Sequence, residues 1–222
     1  MDNSYNDLRE AVAKLCAEFP GSYWRGLDRD MTYPQAFIDA LTAAGWLSVL
    51  IPEEYGGAGL PLSAAAAILE EMQMQGCNSG ACHAQMYTMG TLLRHGSDDQ
   101  KQTYLPKIAS GELRLQAFGV TEPTSGTDTG ALKTTAVLEG DEYVINGQKI
   151  WTSSAHVADW YWLAARTDPE APKHKGISVF LVKMDDPGIE VHPIETVGEH
   201  ATNSVFLTDV FIADEYVIGD VN

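Results

Sequence analysis

The sequence is poor in positive charge. Lys and Arg number 14 against 31 Asp and Glu, a formal net charge of -17 over 222 residues. Up to residue 115 there are 8 basic and 14 acidic residues, and from 116 onward 6 and 17, so neither half carries a basic stripe. That excludes nucleic acid as an expected partner. An anionic ligand must then be held by local donors, because the overall field repels it. Long apolar runs are also missing, and no stretch approaches the length of a membrane span. Cysteine is scarce: Cys16, Cys77 and Cys82 are an odd set that does not suit a disulfide framework. In "CNSGACH" Cys77, Cys82 and His83 lie close in sequence, but a metal site needs a fourth ligand and tighter spacing. They are expected as small buried residues on a helix, and no metal is expected. The start, "MDNSYNDLRE", is polar and acidic, which fits neither a secretory signal nor a transit peptide. The chain reads as cytoplasmic.

What remains is the composition of a soluble globular protein, 45% hydrophobic and 20% charged, long enough for one large domain or two ordinary ones. The first half has helical spacing. Leu8, Val12 and Leu15 recur at that period, as do Phe37, Ile38 and Leu41 in "TYPQAFIDALTAAG", where Thr32 can cap, Pro34 falls in the first turn and Gly45 suits the terminating left-handed residue. "SAAAAILEEMQMQG" starts at Ser63, places Ile68, Leu69 and Met72 on one side and ends at Gly76; "ACHAQMYTMGTLLRHG" carries Met86, Met89, Leu92 and Leu93. Ser97 with Gln100 is a capping box for the next helix. After Gly111 the period changes. "KTTAVLEGDEYVINGQKIWTSS" holds two turn signals, Gly140-Asp141 and Asn146-Gly147, between β-prone runs, and more short runs of Val, Ile, Phe, Tyr and Trp follow. Such strands suggest a sandwich or barrel. The expected fold class is α+β: an all-helical domain over 1–114, then an all-β domain over 115–222.

Two strand ends stand out. "FGVTEPTSGTD" ends an apolar run with hydroxyls, one Gly and two carboxylates. Pro123 biases Glu122 toward an extended conformation, and Gly126 permits close approach to the backbone. Thr121, Thr124, Ser125 and Thr127 can meet a polar ring or a pyrophosphate with dipoles. An ordinary turn stabilised by Ser and Thr has the same composition. "GQKIWTSSA" ends a second β run at Trp151, followed by Thr152, Ser153 and Ser154. Trp151 can stack on a planar heterocycle while hydroxyls and N–H groups meet its polar edge; it can equally be core, with the serines at a bend. Trp160 and Trp162 alternate within a strand and suit a core.

Together with "PEEYGGAGL" (52–60), "GSDDQKQTYLPKIASGEL" (96–113) and "FLTDVFIADEYVIG" (206–219), these segments resemble consecutive motifs of the acyl-CoA dehydrogenase family, in the family's order and spacing and over nearly the whole chain. The resemblance implies FAD, a helical N-terminal domain and a middle β-barrel domain. It implies oxidation of an acyl-CoA thioester to the trans-2-enoyl-CoA: a carboxylate takes the α-proton while the β-hydrogen passes as hydride to the flavin N5. It also implies an electron-transfer flavoprotein as acceptor. Residue by residue, Phe118, Val120 and Thr121 fall where the family contacts the flavin ring. Gly126 and Thr127 fall where its loop turns between cofactor and thioester, which makes Thr127 the candidate substrate contact; the family usually has Ser there. Trp151 matches the Trp beside the flavin, and Ser153 a position where Thr commonly bonds the N5 edge; Thr152 lies between them in the same cofactor set.

Members of this family continue into a third, helical domain that supplies the glutamate base, further FAD contacts and most of the subunit interface. This sequence reaches "VIGDVN" where that domain would begin, so no catalytic base is expected within it, and the chain alone is expected to be inactive. Homo-oligomerisation, or association with a chain supplying that domain, follows. Met86, Met89 and Leu93 on the helical side and Trp151 on the β side are candidates for an exposed apolar face, unless neighbouring elements cover them. Acyl-CoA oxidases and some flavin monooxygenases share the architecture, and a non-catalytic module that binds a partner chain is the reading outside enzymology.

Overall fold

A computed structural model describes residues 5–197 and 202–221. The first four residues of the expected N-terminal helix lie outside that range. The chain divides into two compact units, residues 1–94 with 98–113, and residues 95–97 with 114–222. Among the described residues no helix is long and apolar enough to cross a membrane.

The first unit holds α1 (Asn6–Cys16), α2 (Gly21–Asp30), α3 (Gln35–Ala43), α4 (Leu62–Met74), α5 (Gly80–His95) and α6 (Asp98–Ser110). Phe37, Ile38 and Leu41 are fully buried, as their spacing predicts, and Gly45 takes the left-handed conformation with φ 77° that ends α3. Thr32 does not cap this helix. Its N–H is bonded to the Leu27 carbonyl at 3.0 Å, so it closes α2, and Pro34 stands at the cap position of α3 instead of inside its first turn. Likewise α4 begins just before Ser63, whose hydroxyl meets Tyr5 Oη at 2.8 Å. The second helix has no counterpart in the sequence reading. It forms because Tyr23 and Trp24 join Phe19 and Phe37 in an edge-to-face aromatic cluster with centroids 5.0–5.1 Å apart. Arg9 of α1 ties that helix to α4 through Glu70 and Glu71. Met86 and Met89 are buried and Leu93 is half-buried, so the two methionines are core residues and do not form an exposed face. An unbranched, polarizable thioether suits such buried positions because it adapts to irregular packing. Cys77 Sγ lies 3.9 Å from the Cys16 carbonyl, and burial pushes the Cys16 thiol up to about 12.

The second unit is an eight-stranded mixed sheet: β1 (Leu115–Gly119), β2 (Thr135–Glu139), β3 (Glu142–Ser153), β4 (Trp160–Arg166), β5 (Ile177–Lys183), β6 (Ile189–Pro193), β7 (Thr202–Ala213) and β8 (Val217–Ile218). The order is β6-β7-β3-β2-β4-β5-β8, with β1 parallel to β4. Side chains from the strands meet in one core, among them Ala117, Ile145, Tyr161, Phe180, Val205 and Val217. The turn at Gly140-Asp141 joins β2 to β3 as expected. Asn146-Gly147 is not a turn. Both residues lie within the twelve-residue strand β3, at a register shift opposite β7. Glycine is needed there for a different reason: a Cβ on Gly147 would stand 2.7 Å from the Thr134 Cα.

Candidate functional site

β1 delivers the first segment. Its Leu115 and Ala117 point inward, which turns Phe118 outward, 37% exposed. Gly119 follows because the Tyr161 hydroxyl passes directly beneath: a Cβ there would lie 2.2 Å from Tyr161 Oη. The chain then forms a tight turn in which Glu122 and Ser125 exchange both backbone hydrogen bonds, at 2.8 and 3.1 Å. Ser125 is buried and its hydroxyl donates to the Asp128 carbonyl at 2.5 Å. Gly126 and Thr127 are left at the exposed tip, with Val120 and Thr121 half-buried at its base.

The second segment is a bulge in β3. Lys149 is opposite Val205 and Thr152 opposite Asn203, so Ile150 and Trp151 face the single residue Ser204. Trp151 takes the left-handed conformation, φ 60°, and its indole is 56% exposed. Ser153 is also exposed. Thr152 is not: its side chain is buried and its Oγ1 lies 3.1 Å from Tyr161 Oη. Strand alternation turns it inward between two outward neighbours, so the expected Thr152 hydroxyl is withdrawn from any ligand.

The two segments are stitched together. The Ile150 N–H donates to the Thr121 carbonyl at 2.9 Å. Lys149, 0% exposed, donates to Glu122 Oε1 at 2.8 Å and to the Val120 carbonyl at 3.2 Å. Glu122 also accepts from the amides of Thr134 at 2.8 Å and Lys133 at 2.7 Å. Burial alone would push the Glu122 carboxyl up, but Lys149 and the two amides outweigh it and hold it below the usual carboxylate range. Sequence reasoning passed over Lys149 and gave Glu122 no partner. The available signal was a Lys inside a β-prone run, two residues before Trp151, and a carboxylate next to Pro123 in a loop rich in hydroxyls.

The wall that results carries an exposed indole, an exposed phenyl ring, and the hydroxyls of Thr127 and Ser153. The loop's charges are neutralised below or turned to water: Asp128 is exposed, 3.9 Å from Lys173. Such a surface can stack a planar ring and offer its edge neutral donors and acceptors. Among the described residues no three His, Cys, Asp or Glu side chains gather to hold a metal ion.

Residues 2–112 match the family described as "Acyl-CoA dehydrogenase, N-terminal domain", and residues 117–210 that described as "Acyl-CoA dehydrogenase, middle domain". Acyl-CoA dehydrogenase FadE29 of Mycobacterium tuberculosis is 42% identical over 197 residues, 88% of this chain and 50% of that one. Among solved structures, the Tcur3481-Tcur3483 steroid ACAD is 36% identical with a TM-score of 0.87, over 100% of this chain and 58% of that one. The ChsE4-ChsE5 complex from Mycobacterium tuberculosis is 32% identical with a TM-score of 0.83, again over 100% and 58%. The chain spans about half the length of the curated relatives it matches.

Proposed function

This chain belongs to the acyl-CoA dehydrogenase family, and we propose that its β unit forms one wall of an FAD site for the α,β-dehydrogenation of an acyl-CoA thioester. The observation that carries the reading is the exposed Trp151 indole, joined to the 118–128 loop through Ile150 and Thr121. A bulky aromatic presented to solvent by a strained backbone has no use in a core, and it fits a planar ring system. Phe118, Val120, Thr121, Gly126 and Thr127 would line the same ring from β1, and Ser153 from β3, while Thr152 contributes only main chain. Bound FAD supplies the hydride acceptor. The chain's own residues orient and shield: Trp151 covers a ring face and excludes water, and the hydroxyls of Thr127 and Ser153 donate to or accept from polar edges. Thr127 is the contact we assign to the acyl thioester.

The loop carboxylates do not serve as the proton-abstracting base in this reading. Glu122 is committed to Lys149 and two amides, and Asp128 stands in water. The base is then not one of these two carboxylates, and an electron-transfer flavoprotein is the proposed acceptor. The Tcur3481-Tcur3483 protein and the ChsE4-ChsE5 complex carry two chain names each, which favours a two-chain assembly here too. The steroid named in the first makes a bulky polycyclic acyl group the substrate class to try first. The buried thiols of Cys16, Cys77 and Cys82 are free, which supports the cytoplasm as the compartment.

FAD titration by fluorescence tests the reading. Trp151→Ala should weaken FAD binding by about tenfold or more, since one aromatic stack is worth roughly 1–3 kcal/mol. Equal affinity in the variant would remove Trp151 from the site.

A further inference from the structure

Trp151 and, three residues on, Ser154 both hold left-handed backbones, with φ 60° and 59°. Neither is Gly, Asn or Asp, the residues that tolerate this region most readily. Something must over-determine the bulge between them. The Tyr161–Thr152 hydroxyl contact is one restraint, and the Ile150–Thr121 main-chain bond another. The third is Asn203, the residue across the ladder from Thr152 and only 1% exposed. Its Nδ2 donates to the Thr152 carbonyl at 3.0 Å and lies 3.3 Å from His156 Nδ1.

The chemistry fixes the protons. A carbonyl only accepts, so the amide must turn its nitrogen toward Thr152. The second Nδ2 hydrogen then points at His156 Nδ1, which must be bare, and the imidazole proton sits on Nε2. The Asn203 Oδ1 is buried and accepts from no group among the described residues. This side chain is therefore retained for what its nitrogen does, at the expense of its oxygen.

We propose that Asn203 is a positioning residue for the flavin-side wall: its amide, braced by His156, holds the Thr152 carbonyl and so fixes the bulge that turns Trp151 and Ser153 outward. The link to flavin rests on the function proposed above; the link to the Trp151 geometry does not.

Label the chain with 5-fluorotryptophan and assign the Trp151 line with Trp151→Phe. In Asn203→Ala and in the near-isosteric Asn203→Asp, the Trp151 line should shift or broaden while the Trp162 line stays. FAD affinity should fall about tenfold in both, the worth of one buried hydrogen bond, and only about twofold to threefold in His156→Ala. A merely structural Asn203 predicts something else: Asn203→Asp folded, less stable, with the Trp151 line and FAD affinity unmoved. That result overturns the proposal. If the Trp151 line moves but Trp151→Ala binds FAD normally, the positioning stands and the flavin reading falls. Should neither Asn203 variant fold, the histidine nitrogen spectrum of the unmutated chain decides. A bare Nδ1 on His156 supports the arrangement, and a protonated Nδ1 overturns it.

Discussion

The two strand ends of the site do the same task with different chemistry. At the end of β1, residues 120–134 gather around a buried charge pair, Glu122 with Lys149, met by the amides of Lys133 and Thr134 and the carbonyl of Val120. At the end of β3, residues 150–156 are held by neutral groups: a hydroxyl pair, an asparagine amide and an imidazole. The first end keeps ordinary backbone angles and spends its stability on desolvating two charges. The second needs almost no desolvated charge and stores its strain in two left-handed residues. Fixed charges suit a loop that must bring several backbone groups to one point. A bulge suits a single large side chain that must leave the sheet. The comparison sets out where each end should break.

The largest effect should come from the charged end. Lys149→Met leaves Glu122 ionised and buried with only two amides. Removing one partner of a buried pair typically costs about 3–5 kcal/mol. Urea unfolding read on the β unit should show a loss of that size, and a loss under about 1 kcal/mol would mean the pair is not a strut. The pH dependence has a definite sign. Glu122 is held below the usual carboxylate range, so its contribution is fully present above the ordinary value of about 4.3 and is lost as pH falls through the lowered one. Glu122→Gln should remove that part of the acid limb. A limb of unchanged shape would assign acid sensitivity to other carboxylates.

Gly119→Ala should come next, and it tests whether the two ends are mechanically joined. The new Cβ would meet Tyr161 at 2.2 Å from Oη and 2.3 Å from Cζ. Tyr161 is fully buried, so it can yield only by displacing its neighbours. Overpacking of this kind costs about 1–3 kcal/mol. Because Tyr161 Oη is also the partner of Thr152, the damage should pass from β1 to the bulge. A fluorinated Trp151 should report it, although Trp151 lies 32 residues from the substitution. A destabilised variant with an unmoved Trp151 line would show that the two ends are independent.

These couplings explain what could and could not be read from the chain alone. Helix faces such as Phe37, Ile38 and Leu41 repeat within a turn or two, and a Gly at position 45 needs only local geometry, so both were legible. The outward hydroxyls of Thr127 and Ser153 and the exposed Trp151 follow from strand ends that composition marks. Some failures were local, such as the roles of Thr32 and Pro34 at the start of α3; those at the site involve distant partners. Asn146-Gly147 has the chemistry of a hairpin turn, yet β7 pairs with β3 on both sides of it, through a register shift. Thr152 faces inward because a bulge shifts the register by one, and no local pattern announces a bulge. Lys149 finds Glu122 across 27 residues and Asn203 finds Thr152 across 51. Met86 and Met89 looked like a free face because periodicity alone does not say which side of a helix its neighbours bury.

The smallest effect should have the opposite sign. Trp151→Asn removes an exposed indole and puts at φ 60° a residue that tolerates the left-handed region. The indole is more than half in water, so little buried area is lost with it. Relief of the backbone should leave the fold unchanged or more stable by about 0.5–1 kcal/mol. In a core tryptophan the same change would be ruinous. The substitution thus separates a residue kept for the fold from one kept for a ligand. Thermal unfolding should show the gain while FAD titration shows the loss of the stacking face. A drop of more than about 2 kcal/mol would mean that Trp151 packs as a core residue, and the bulge would then lose its claim to be a presentation device.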